Sequence, residues 1–211
     1  MSCPLCLHQT PQFFWRDRRR EYWSCPNCSL VFVPESFHLS DQAEKAEYDL
    51  HQNNLSDDGY LTFLSRMATP LLARVSSGRG LDFGCGPAPA LAELLKKAGL
   101  EVFLYDKFYY SHPELLEQSY QFITATEVVE HLSRPGETLD KLWQQLEPGG
   151  YLGIMTKRWD EPERFYRWHY KNDPTHISFF HIDSFRWLAQ RWHASLEVCS
   201  ADVVIFKKAG R

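Results

Sequence analysis

No run of 18 apolar residues occurs in the 211-residue sequence, which excludes a membrane-spanning helix. The first residues, Met1-Ser2-Cys3-Pro4-Leu5-Cys6, carry neither a basic stretch nor an apolar core. The expectation is therefore no secretory signal and a cytoplasmic protein. An excess of positive charge is also missing: 23 Lys and Arg stand against 27 Asp and Glu, a net charge of −4. That argues against a protein that coats nucleic acid by charge alone and leaves room for a local basic contact. Internal repeats and low-complexity tracts are absent. Enough apolar material is present for a core, because 44% hydrophobic residues with 24% charged residues rule out a disordered chain. At roughly 100–200 residues per domain, the length suits one domain with an appendage, or one large domain.

Four of the six cysteines form two Cys-x-x-Cys pairs, Cys3/Cys6 and Cys25/Cys28, separated by residues 7–24. This spacing falls within the roughly 15–20 residues of four-thiolate zinc sites. A two-residue spacer lets one tight turn aim two sulfurs at one point, and a hairpin between the turns completes a tetrahedron. Pro4 and Pro26 stiffen the turns. Between them, Phe13-Phe14-Trp15, a basic tip Arg16–Arg20, and Tyr22-Trp23 read as a hairpin, with Leu30–Val33 as a further strand. Two alternatives are weaker. Disulfides need an exported chain, and a redox pair needs a Cys-x-x-Cys opening a helix after a strand. Residues 1–33 are thus expected to form a zinc ribbon too small to fold without its metal. The Arg16–Arg20 tip is a solvated hairpin end, or a contact for RNA phosphates or an acidic partner. Cys85 and Cys199 read as small packing residues.

Residues 34–56 are expected as a linker with a polar helix over 40–54, broken by Asn53–Gly59. Residues 57–211 form the larger domain. It opens with an amphipathic helix over 60–75 carrying Leu61, Leu64, Met67, Leu71 and Leu72 on one face. Strands and helices then alternate. Strands are expected at 80–83, 101–105, 120–125 and 151–156, with helices at 89–98, 135–146 and 182–193. An antiparallel pair is expected at 196–199 and 203–206. This pattern predicts an α/β fold: an open, mostly parallel, Rossmann-like sheet with helices on both faces. Residues 157–181 lack periodicity and are rich in aromatics. They are expected over the carboxyl edge of the sheet, where such folds bind ligands.

The strongest functional signal is Leu81-Asp82-Phe83-Gly84-Cys85-Gly86-Pro87-Ala88-Pro89, placed between a strand and a helix. Gly84 permits a tight turn and Gly86 a close ligand approach. Asp106 ends the next strand, where a carboxylate accepts ribose hydroxyls. Pro87 and Pro89 remove two N–H donors that a phosphate cradle would use. The turn therefore suits a nucleoside without phosphate, such as S-adenosylmethionine, better than a dinucleotide.

Asp82–Gly86 resembles the first motif of class I S-adenosylmethionine-dependent methyltransferases. Two further stretches, Ile123–Leu132 and Leu146–Thr156, are similar in order and spacing to the branch that includes the ubiquinone-biosynthesis O-methyltransferases. The resemblance spans about residues 57–207. It implies that Gly84 and Gly86 line the methionine part of the cofactor with Asp82 nearby and Cys85 among the cofactor-binding residues, that Asp106 binds its ribose, and that Glu127 sits beside its amino acid or the acceptor. Only Lys107–Gln121 separate Asp106 from the next strand, so the family's third strand is expected to be reduced or lost. His176 is the preferred base, in a Thr-His segment followed by aromatics similar to others in this branch; Glu130 and His131 are a second candidate pair, with His169 and Tyr170 behind them. The acceptor is expected to be a small or carried molecule. Alternatives are an RNA methyltransferase gripping RNA with the ribbon, a non-catalytic ribbon adaptor, and a nicotinamide oxidoreductase, the last disfavoured by the two prolines.

Overall fold

The computed structural model describes residues 1–50 and 58–210. Most of the expected break at Asn53–Gly59, and the expected boundary after residue 56, lie outside the described residues. Strands β1 (Gln12–Arg16) and β2 (Glu21–Ser24) form the anticipated hairpin, and β3 (Val31–Phe32) pairs with β2. Asp17 closes the hairpin tip by accepting the N–H groups of Arg19 (2.7 Å) and Arg20 (2.9 Å) on Oδ1. Helix α1 (Asp41–Tyr48) starts at Ser40, whose hydroxyl accepts from the Ala43 N–H. Helix α2 (Asp58–Leu72) buries Leu64, Met67 and Leu71 on one stripe, as the apolar spacing requires.

The larger sheet follows. Its elements are β4 (Arg79–Phe83), α3 (Ala90–Lys97), β5 (Glu101–Tyr105), β6 (Tyr120–Thr126), α4 (Pro135–Gln145) and β7 (Leu146–Met155). After these come α5 (Pro162–Arg167), β8 (Ser178–Phe179), α6 (Ile182–Trp192), β9 (Ser195–Val198) and β10 (Val203–Lys207). The strand order is β5-β4-β6-β7-β10-β9, parallel from β5 to β7 and antiparallel at β10 and β9. Side chains alternate between the faces. Phe122 packs with α2 and α3, and its neighbour Ile123 with α4 and α6. The expected alternating α/β architecture is therefore present. Among the described residues no helix is long and apolar enough to cross a membrane.

The expected loss near the third strand takes a definite form. β5 is the sheet edge, and a single 3₁₀ turn, Pro113–Glu117, returns the chain to β6 with Leu115 and Leu116 against the core. Strand β7 begins earlier than expected. Pro148-Gly149-Gly150 lies inside it, with Gly149 at φ +81° and the β6 pairing shifting register between Tyr120 and Phe122. Periodicity missed this because a bulge displaces the alternation.

Residues 157–181 fold against the N-terminal ribbon. β8 pairs with β3, so the small sheet reads β1-β2-β3-β8 and crosses the expected boundary at residue 33. Tyr22, Val31 and Val33 share one cluster with Phe165, Tyr170 and Phe179. Arg20 of the basic tip is 6% exposed, and its guanidinium donates to the backbone oxygens of Lys171 (2.5 Å), Asp173 (2.9 Å) and Pro174 (3.2 Å). On the other side, the Gly136 N–H donates to the Pro4 carbonyl at 3.2 Å. A Cβ at Gly136 would stand 2.2 Å from the Leu5 oxygen, so only glycine lets the first cysteine turn seat on α4.

Candidate active site

The chain leaves β4 for α3 through the glycine turn, beside the point where β5 and β6 run out on either side of β4. Open α/β sheets bind ligands at such switch points. Gly84 and Gly86 both adopt positive φ, +73° and +64°. A Cβ at Gly84 would meet the Val128 side chain at 2.4 Å, whereas at Gly86 it would meet nothing within 4 Å. Gly84 is therefore required by packing. Gly86 opens its bare backbone onto a cavity of about 720 Å³, within the usual range for small-ligand sites.

Asp106 ends β5 beside this turn. Its Oδ2 accepts the Gly86 N–H (2.9 Å), and its Oδ1 accepts those of Phe108 (2.8 Å) and Tyr109 (3.2 Å). A carboxylate offers about four acceptor positions, so it braces the turn and keeps capacity for a further donor. Asp82 is buried beneath the turn and accepts from Thr124 Oγ1 at 2.7 Å. Burial pushes its acid up to about 7, with that hydrogen bond pulling the other way. Cys85 also borders the cavity, and burial raises its thiol, which stays neutral.

Past the glycine turn the cavity reaches a second group of residues. Glu127 follows β6 at φ +53°, a costly conformation for a residue with a Cβ. Burial, with the charge of Glu130 next, raises its acid to about 8. Glu130 is fully buried; it accepts a short hydrogen bond from the Tyr170 hydroxyl on Oε1, while Oε2 has no hydrogen-bond partner. Burial raises this acid to about 7. His131 and His176 line the cavity with ring centroids 4.7 Å apart. The adjacent Glu130 and His131 and the distant His176 bring one ligand atom each to within 4.8 Å of one another. The backbone causes this: the Ile177 N–H donates to the Glu130 oxygen (2.8 Å), and the Ser178 hydroxyl to the Leu132 oxygen (2.9 Å).

Two contributors, Asp173 and Tyr48, were not singled out by the sequence, and a third was placed behind the other candidates. Tyr170, ranked low above, is buried and its hydroxyl lies between Glu130 and Glu127 (3.3 Å); His169 is exposed. Asp173 accepts both the Thr175 N–H (2.8 Å) and hydroxyl (2.6 Å), and its Oδ2 lies 3.7 Å from His176 Nε2. Burial pushes the Asp173 acid up, but the Thr175 bonds and the nearby imidazoles hold it below the ordinary value. Asp-Pro-Thr is an Asx-turn signature, so this residue was findable. Tyr48, on α1, closes the cavity from above with its ring 5.2 Å from His131. No local pattern announced that, because α1 is held there by long-range ties: Lys107 Nζ donates to Asp41 (2.7 Å) and Glu44 (3.2 Å).

The four N-terminal cysteines also converge. All four are thiols with sulfurs within 4.8 Å of one another, 3.6 Å for Cys3–Cys28 and 3.4 Å for Cys6–Cys25. Four sulfurs each about 2.3 Å from one zinc stand about 3.8 Å apart, so the donor set fits that ion. The hydrogen bond from Cys28 holds the Cys3 thiol down at about 6, while burial raises Cys25 to about 12.

Residues 54–196 match a family model described as a methyltransferase domain. Among solved structures, an O-methyltransferase family protein from Burkholderia thailandensis aligns at 13% identity and TM-score 0.52, covering 83% of this chain and 62% of that one. An S-adenosylmethionine-dependent methyltransferase from Archaeoglobus fulgidus aligns at 18% identity and TM-score 0.53, covering 70% of this chain and 93% of that one. These likenesses establish a shared fold. No curated protein matches the chain. With its glycine turn, strand order and family match in agreement, the chain belongs to the methyltransferase domain family.

Proposed function

We propose that the enzyme methylates a small hydroxylated molecule held at the Glu130–His131–His176 end of the cavity, as a cytoplasmic member of the branch resembling the ubiquinone-biosynthesis O-methyltransferases. The carrying observation is that one cavity runs continuously from Gly86 and Asp106 to His131 and His176. The cofactor supplies a methyl group on a sulfonium, which leaves by in-line displacement. Asp106 accepts ribose hydroxyls in addition to bracing the turn. Gly84 and Gly86 let the methionine portion lie against bare backbone, with Asp82 and Glu127 below and beyond it. Tyr48 and residues 173–177 wall the far end and exclude water. The acceptor proton leaves toward the two imidazoles, whose role is fixed by position as much as by basicity.

Zinc bound by Cys3, Cys6, Cys25 and Cys28 is structural in this reading, because four thiolates leave no open position for substrate. The ribbon's work is to hold β8 and the 170–176 segment. RNA is the weaker acceptor. Arg20 is consumed by backbone carbonyls, and only Arg16, Arg18 and Arg19 remain exposed at the tip.

Incubation with methyl-labelled cofactor tests the proposal. Label is expected in small hydroxylated compounds and not in RNA. Transfer into RNA, with binding that weakens steeply with added salt, would reverse the assignment.

A further inference from the structure

We infer that Lys107 and Tyr109 are positioning residues that latch helix α1 over the cavity, and that the ribose of the cofactor, through Asp106, favours the latched state. Helix α1 lines the cavity with Asp41, Glu44 and Tyr48, yet none of its eight residues is buried. A free helix of that length is marginal in water, so its place depends on what ties it down. Among the described residues, its polar ties to the sheet domain run to the loop 107–109. Lys107 Nζ donates to Asp41 (2.7 Å) and Glu44 (3.2 Å) in the first turn. The Tyr109 hydroxyl donates to Asp49 Oδ1 (2.7 Å), just past the last turn. Between these ends the Tyr48 ring rests 5.8 Å from that of Phe108, and Lys45 Nζ stands 5.1 Å from the centre of the Tyr109 ring.

Asp106 organises that loop. Its Oδ1 accepts the N–H groups of Phe108 (2.8 Å) and Tyr109 (3.2 Å), while Oδ2 accepts that of Gly86 (2.9 Å). A ribose hydroxyl donating to the same carboxylate fixes it in place, and with it the backbone that carries Lys107 and Tyr109. The latch is weak on its own. Lys107 is 54% exposed and Asp41 78%, and an exposed ion pair shifts an equilibrium by at most about fivefold. Opening therefore costs little, which suits a cover that must admit the cofactor. Linkage makes the coupling reciprocal: a latch that strengthens cofactor binding is itself favoured by the cofactor by the same factor.

The same closure holds Tyr48 over the acceptor end, with its ring 5.2 Å from that of His131. The inference rests on the methyltransferase reading and adds an order to it: bound cofactor completes the wall against which the acceptor sits.

S-adenosylhomocysteine tests this. Hydrogen exchange over residues 41–48 is expected to slow when the compound binds, and to slow less in Lys107→Met. In stopped-flow displacement, Lys107→Met is expected to release the compound about threefold to tenfold faster, through the loss of two partly exposed pairs. Added salt is expected to speed release from wild type and to leave Lys107→Met nearly unchanged, because screening acts on the pairs that the variant lacks. A merely structural lysine would not give that split. Lys107→Arg, which keeps the charge, is expected to restore slow release. Tyr109→Phe is expected to speed release while keeping the response to salt. Unchanged exchange over 41–48 on binding, or the same salt response in wild type and Lys107→Met, overturns the latch alone. A compound that does not bind at all overturns the methyltransferase reading with it.

Discussion

Replacing Arg20 by methionine removes a buried cation from the seam between the ribbon and the acceptor segment. The guanidinium holds three consecutive-turn carbonyls, of Lys171, Asp173 and Pro174, and also donates to the Tyr22 hydroxyl at 3.0 Å. A hydrogen bond from a charged donor contributes about 1.5–3 kcal/mol. The two shorter carbonyl bonds alone then represent about 3–6 kcal/mol, with the longer Pro174 bond left to water in the variant. Total domain stability is commonly about 5–15 kcal/mol, so the loss is expected as local opening before global unfolding. Hydrogen exchange across residues 168–180 is the assay. Protection at the Ile177 amide, which bonds Glu130, is expected to fall, while β4 and β6 keep theirs. Affinity for S-adenosylhomocysteine is expected to hold, because Asp106 and the glycine turn are untouched. Arg20→Lys, with a compact head in place of a planar fork, is expected to fall between. Unchanged exchange over 168–180 in the methionine variant would refute the claim that the ribbon holds this segment.

Other consequences follow from the same geometry. Cys25→Ser is expected to release zinc and to loosen residues 170–179 together with 1–33, because β3 pairs with β8; a ribbon that melts without any change in exchange at β8 would contradict this. Gly86→Val is expected to block cofactor while the fold persists, since the added side chain enters the cavity, and circular dichroism with calorimetry separates the two effects. For pH, Asp82 holds its proton up to about 7 in the native state, against 3.8 in the unfolded chain. The native state then binds more protons between those values, so stability is full below about 4 and declines as pH rises through 7. Urea denaturation across that range is expected to show a shallower decline in Asp82→Asn, and an identical slope would refute the burial argument.

The alternation of β4, α3, β5, β6 and α4 was legible because each segment is short and of one periodicity, whereas β7 was legible only in its second half, since a bulge displaces the alternation before it. The glycine turn was legible because turn chemistry is local. Cys3, Cys6, Cys25 and Cys28 were legible because ligand spacing is written in the chain. The β3–β8 pairing was not, since each strand is two residues long and nothing in Ser178-Phe179 names its partner. Arg20 read as part of a solvated tip because burial of a single arginine depends on carbonyls some 150 residues away. His176 and Glu130 were each recognisable as candidates, but their meeting arises only when β8 is drawn beside the Val129–His131 turn.

Titration calorimetry with S-adenosylhomocysteine tests the central assignment most directly. Wild type is expected to bind one equivalent, and Asp106→Ala to bind about 1–3 kcal/mol more weakly, the loss of a charged acceptor. Absence of binding by the wild type, or equal affinity in the variant, would contradict the site described at Gly86 and Asp106.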